Sequence, residues 1–68
     1  MYNLHIYFGS PGPNGTYVKG IVLDPEDYTE KYRFGNIFYG YNKKDIIIII
    51  KNKCKDALNV KKFHTKIF

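Results

Sequence analysis

The chain has 68 residues and carries eleven Lys and Arg residues against six Asp and Glu residues, a net charge of +5 at pH 7. This length predicts one small domain, residues 1–68, whose core only marginally offsets the chain entropy lost on folding. One cysteine and two histidines are too few for a disulfide or a structural zinc site, so no metal and no cofactor is expected.

The basic charge is concentrated near the end of the chain. Residues 1–42 hold three basic and four acidic residues, a net charge of −1, whereas residues 43–68 hold eight lysines and two acids, a net charge of +6. Such asymmetry favours an anionic partner, either nucleic acid or an acidic protein surface. Residue types with A/T-rich codons (Lys, Asn, Ile, Tyr and Phe) make up 37 of the 68 positions, so codon bias is a competing explanation for the lysines and aromatics.

The first third of the sequence predicts a β-hairpin. Residues 2–8 alternate, with Leu4, Ile6 and Phe8 on one face, and residues 16–23 read as the returning strand, in which Gly20 indicates a bulge or a close backbone approach. The intervening residues 9–15 are rich in glycine and proline and predict a hairpin loop. Their glycine spacing also suggests a phosphate-binding loop, but two prolines and the lack of a following helix argue against that interpretation.

A short helix is predicted near residues 25–33. Asp24 is suited to cap it, Pro25 suits the first helical position, and the following acids favour the positive end of the helix dipole. Glu26 and Glu30 would share a face of this helix, but the capping roles explain the acidic cluster better than a carboxylate site does. Residues 36–41 are predicted to form the third strand.

Five consecutive isoleucines at residues 46–50 are predicted to form the central strand of the core, because an unbroken β-branched run is typical of a strand covered on both faces. Continuing the alternation places Lys51, Lys53 and Lys55 on one face, a stripe whose roughly 6.6 Å spacing could follow a nucleic-acid backbone. Solvated lysines that discourage edge aggregation are the simpler explanation of that stripe. Residues 60–68 are predicted to form a last strand, with a helix as the alternative.

These elements predict a mainly β fold, with α+β as the alternative. The sheet is expected to be antiparallel with four to five strands, and curling into an SH3-like or OB-like barrel would cover both faces of the isoleucine strand. A lone thiol and an N-terminus without a basic or apolar signal segment predict a cytoplasmic location. The isoleucine run is far shorter than a membrane span, so no membrane association is expected, and the small core makes a homo-oligomer a reasonable expectation.

The sequence shows no catalytic constellation, so a non-enzymatic binding module is expected. The first hypothesis is a protein-binding regulator or inhibitor of the phage or mobile-element type, whose exposed tyrosines and rim lysines would contact an acidic partner. The alternative is a nucleic-acid-binding protein, and a third hypothesis is an oligomer that holds a small anion such as a nucleotide between its subunits. The candidate binding residues are Lys51, Lys53, Lys55, Lys61 and Lys62 for phosphates, and Tyr39, Tyr41 and Phe63 for base stacking.

Overall fold

A computed structural model describes all 68 residues as one mixed sheet with one helix packed on it. The elements in chain order are β1 (Asn3–Phe8), β2 (Thr16–Leu23), β3 (Glu30–Phe38), α1 (Lys43–Leu58) and β4 (His64–Ile67). The strand order is β3-β2-β1-β4. The first three strands are antiparallel, and α1 carries the chain back so that β4 pairs parallel to β1.

The mainly β fold is therefore confirmed, and the strands over residues 2–8, 16–23 and the end of the chain are observed close to their predicted positions. Two details of the predicted sheet are wrong: it is mixed rather than wholly antiparallel, and it does not close into a barrel. Closure is unnecessary because α1 covers one face of the open sheet. No helix has both the length and the apolar character that a membrane span requires.

The isoleucine run forms the first half of α1, so the predicted central strand is wrong. The Asn42 side chain caps this helix by accepting a hydrogen bond from the Asp45 N–H at 2.9 Å, and Asn59 ends it in the left-handed conformation. Ile46 and Ile50 are buried against the sheet, whereas Ile48 is exposed. Packing of that one face outweighs the modest helix propensity of isoleucine.

The predicted helix near residues 25–33 is also wrong, because the chain makes only one turn there. The Asp24 carboxylate does accept hydrogen bonds from the N–H groups of Glu26 and Asp27, at 2.8 and 3.3 Å. Tyr28 then takes a positive φ of 59°, which ends the turn, and β3 begins at Glu30. The third strand therefore starts six residues earlier than predicted, and it ends at Phe38.

The core lies between α1 and one face of the sheet. Its eight buried residues are Leu4, Ile6, Val18, Val22 and Phe38 from the strands and Ile46, Ile50 and Cys54 from the helix. Gly20 lies under α1, where an added Cβ would be 2.5 Å from Cγ2 of Ile50. The sequence predicted a bulge or a close backbone approach at Gly20, but the register shift lies at Val22/Leu23 and the group that approaches Gly20 is the Ile50 side chain. The absence of a side chain at Gly20 allows the helix to lie near the sheet.

Candidate functional site

The opposite face of the sheet is not covered by any element, and the alternation of β1 determines what it presents. Leu4 and Ile6 point to the helix, so His5 and Tyr7 point away from it. Residues directly opposite one another on paired strands share a face, which places Lys19 beside Tyr7 and Lys66 beside His5. The open face, as we name it, consists of His5, Tyr7, Tyr17, Lys19, Ile21, Arg33, Ile37, His64, Lys66 and Phe68.

Three rings form a cluster on the open face, where the parallel strands meet. Tyr7 and Phe68 are stacked, with ring centroids 4.8 Å apart and planes 10° from parallel. His5 meets Phe68 edge-on at 5.2 Å between ring centroids. The backbone positions Phe68, because its N–H donates to the Ile6 carbonyl at 2.7 Å and so continues the pairing of β4 past its last residue. Since Phe68 is 54% exposed, a ring is available there to an incoming ligand.

Two lysines bracket this aromatic cluster. The Lys19 ammonium lies 5.5 Å from the Tyr7 ring centroid, and the Lys66 ammonium lies 6.0 Å from that of Phe68. Both contacts fall within the range of cation–π attraction, which draws each lysine toward the rings. The strands that carry these lysines flank β1 on its two sides, so the cluster lies between two positive charges.

The one carboxylate that reaches a cation of the open face is already paired. Glu30 accepts hydrogen bonds from Nε and Nη2 of Arg33 at 2.9 and 2.7 Å. This pairing lowers the pKa of Glu30 and raises the pKa of Arg33. The other acidic side chains lie in the β2–β3 turn (Asp24, Glu26, Asp27) and on α1 (Asp45, Asp56). Glu30, whose pKa the Lys19 charge also lowers, is therefore the one acidic side chain that acts on the lysines of the aromatic cluster.

Tyr17 extends this surface toward the β3 edge. Its hydroxyl lies against Gly35 of the neighbouring strand, in the space that a side chain at position 35 would occupy. Tyr17 stays 51% exposed in this position. Gly35 thus allows a fourth ring, that of Tyr17, to lie across the sheet beside Arg33.

A cleft adjoins the open face at the carboxyl ends of the parallel strands β1 and β4. It has a volume of about 540 Å³ and includes the start of α1 in its wall. Ligands commonly bind at the carboxyl ends of parallel strands, because loops and helix N-termini converge there. The Lys43 ammonium lies 4.9 Å from the Phe8 ring centroid inside this region, and Phe68 belongs to both the cleft and the open face. The lining residues are Phe8, Gly9, Ser10, Pro11, Thr16, Tyr41, Lys43, Ile46 and Phe68.

None of the residues predicted from the sequence to form the binding site lies on the open face, and Tyr41 alone among them lines the cleft. The predicted lysine stripe does not form, because α1 and not a strand carries Lys51, Lys53 and Lys55. On this helix Lys51 and Lys55 are one turn apart. The Lys53 ammonium lies 5.6 Å from the Phe34 ring centroid. Lys61, Lys62 and Phe63 precede β4, and Phe63 packs against the core. Tyr39 and Tyr41 lie between β3 and α1, where Tyr41 lines the cleft.

The open-face residues were not among those predicted from the sequence, although part of their signal was present. The alternation of residues 2–8 already placed His5 and Tyr7 opposite the core-facing residues. The neighbours that complete the cluster, Lys66 and Phe68, could not be found from the sequence, because β4 was expected in an antiparallel sheet whose strand order was unknown.

Comparison with known proteins gives no match to a protein-family model, a curated protein or a solved structure.

Proposed function

We propose that this protein binds single-stranded nucleic acid on the open face of its sheet. The observation that supports this proposal best is the Tyr7–Phe68 stack with a lysine on each side. Proteins that hold single strands combine aromatic rings, on which bases stack, with cations that contact the phosphates. The open face provides both groups within hydrogen-bonded neighbouring strands.

The dimensions of the sheet agree with this role. Adjacent strands lie about 4.8 Å apart, and Lys19 is opposite Tyr7 whereas Lys66 is opposite His5, two residues along β1. The Cα atoms of the two lysines, on either side of β1, are therefore separated by about 12 Å. A base stacked on Phe68 would then have a lysine on each side to neutralise its flanking phosphates. The net charge of +5 adds long-range attraction to the same partner.

Fluorescence anisotropy with a dye-labelled single-stranded oligonucleotide, repeated over a series of salt concentrations, tests the proposal. Lys19→Gln and Lys66→Gln are each expected to reduce the salt-dependence slope by about 0.7, the value for one lost phosphate contact on a single strand. Tyr7→Ala is expected to weaken binding by about 1–3 kcal/mol through lost stacking.

Lys55→Gln on α1 is the matched control, since it removes the same charge from a position outside the open face. It is expected to change the slope less than either open-face variant does. Equal effects of all three lysine variants would indicate unlocalised charge attraction and would contradict the proposed site.

A protein partner with an acidic surface, bound in a regulatory or inhibitory role, is the second candidate. The outer side of α1 favours it, since Ile48 and Ile49 are exposed there within a helix that carries several lysines. Affinity capture from cell extract with and without nuclease separates the two candidates. A stoichiometric protein whose recovery survives nuclease and is lost in Ile48→Asp would support this role, and recovery that depends on nucleic acid would support the open face.

A further inference from the structure

The cleft at the carboxyl ends of β1 and β4 is a second, smaller site that meets the open face at Phe68. We propose that it binds the terminal phosphate monoester of a nucleic-acid strand whose adjoining bases lie on the open face. This inference rests on the proposed function and adds to it a preference for phosphorylated strand ends.

Chemical groups in the cleft suit a phosphate. The Lys43 ammonium is held over the Phe8 ring, and the hydroxyls of Ser10, Thr16 and Tyr41 are not used in any side-chain hydrogen bond of the protein. One ammonium and three hydroxyl donors match the several acceptor oxygens of a phosphate monoester. No Asp or Glu side chain lines the cleft.

Charge and size favour a strand end over an internal position. A phosphate monoester carries a charge of about −1.5 to −2 at neutral pH, more than the single charge of an internal phosphodiester. The volume of about 540 Å³ lies within the range of about 300–1,000 Å³ typical of pockets for small molecules, so it suits a terminal nucleotide rather than a duplex.

Phe68 gives the connection between the two sites. Its ring stacks on Tyr7 on the open face, and the residue is also part of the cleft lining at the end of β4. A strand whose end phosphate is near Lys43 would pass Phe68 at this end of the sheet and place its next bases on the aromatic cluster. Lys19, opposite Tyr7, and Lys66, opposite His5, lie beside that cluster.

The test compares three oligonucleotides of one sequence, carrying a 5′-phosphate, a 3′-phosphate or no terminal phosphate, in the anisotropy assay at fixed salt. The wild-type protein is expected to bind one of the phosphorylated forms about tenfold more tightly than the unphosphorylated form, as one charge-assisted contact provides. Which end is preferred identifies the direction of the strand across the sheet.

Two variants localise the effect. Lys43→Gln is expected to reduce the tenfold preference to less than about threefold, whereas Lys44→Gln, the adjacent lysine that does not line the cleft, is expected to keep it. Equal binding of all three oligonucleotides by the wild-type protein would refute the cleft site and leave the open face in place. Absence of binding to every oligonucleotide would refute both proposals.

Discussion

Replacing Gly20 by alanine tests the packing of α1 on the sheet. The added Cβ would be 2.5 Å from Cγ2 of Ile50 and 3.2 Å from Cδ1 of Leu4, whereas ordinary carbon contacts begin at 3.4 Å. Both of these side chains are fully buried, and the Ile50 methyl is fixed to the Cβ of a helical residue. The helix must therefore move away from β2 by about 1 Å, or Ile50 must leave its rotamer.

The expected destabilisation follows from two opposing contributions. Overpacking of this kind costs about 1–3 kcal/mol, and the lower entropy of the unfolded alanine chain returns about 0.4–1 kcal/mol. We expect a net loss of about 1–2 kcal/mol, out of a total stability of about 3–10 kcal/mol for 68 residues. Thermal unfolding followed by circular dichroism should show Tm lowered by about 4–8 °C for each kcal/mol.

Gly12→Ala is the control, because a Cβ there would meet only the Gly15 carbonyl oxygen at an ordinary 3.6 Å. It should change stability by less than about 0.5 kcal/mol. A double-mutant cycle with Ile50→Ala, which removes the clashing methyl, should give a coupling energy of about 1–2 kcal/mol, because alanine at position 20 then fills vacated space. A neutral or stabilising Gly20→Ala, or simple additivity with Ile50→Ala, would refute the placement of the helix over Gly20.

Three further predictions concern the helix cap, the buried thiol and the surface ion pair. Asn42→Ala removes the side-chain acceptor of the Asp45 N–H and should lower the free energy of unfolding, measured in urea, by about 1 kcal/mol. Asn52→Ala, on the exposed part of the same helix, is the control and should lower it less. Burial raises the pKa of the Cys54 thiol from 9.0 to about 11, so between these values the folded chain holds a proton that the unfolded chain has lost. The stability contribution of Cys54 is therefore complete below pH 9 and declines as the pH rises toward 11. In urea unfolding, the free energy of unfolding should fall more between pH 8 and pH 10 for the wild-type protein than for Cys54→Ala. Equal decreases in the two proteins would contradict this prediction. Glu30→Gln frees Arg33 on the open face, so it should tighten oligonucleotide binding while leaving stability nearly unchanged, because an exposed ion pair contributes little; weaker binding would count against the open face.

The isoleucine run shows where sequence reasoning fails on the fold. Five identical apolar residues have no period, so neither a helical nor a strand pattern can be read from them. The distinguishing signals lay at the ends of the run, in Asn42 three residues before Asp45 and in Asn59 after Leu58, and they indicate helix termini. Strands β1 and β2 were predictable because apolar and polar residues alternate clearly along β1 and a loop rich in glycine and proline separates the two strands.

The candidate site was less predictable, because it depends on which strands become neighbours. Tyr7 and Phe68 stack because β4 pairs parallel to β1, and that pairing follows from the α1 crossover that the sequence analysis missed. The loop at residues 9–15 illustrates the same point. No helix follows it in sequence, yet the N-terminal end of α1 reaches the same cleft from more than 25 residues farther along the chain.

NMR titration is the most direct test of the open face as the nucleic-acid-binding surface. In ¹H–¹⁵N spectra recorded during titration with a single-stranded oligonucleotide, we expect the largest shift changes at open-face residues of β1, β2 and β4, including Tyr7, Lys19 and Lys66. The lysines of α1 should change little. Shifts concentrated at Lys51 and Lys55, with the open face unchanged, would contradict the proposed site.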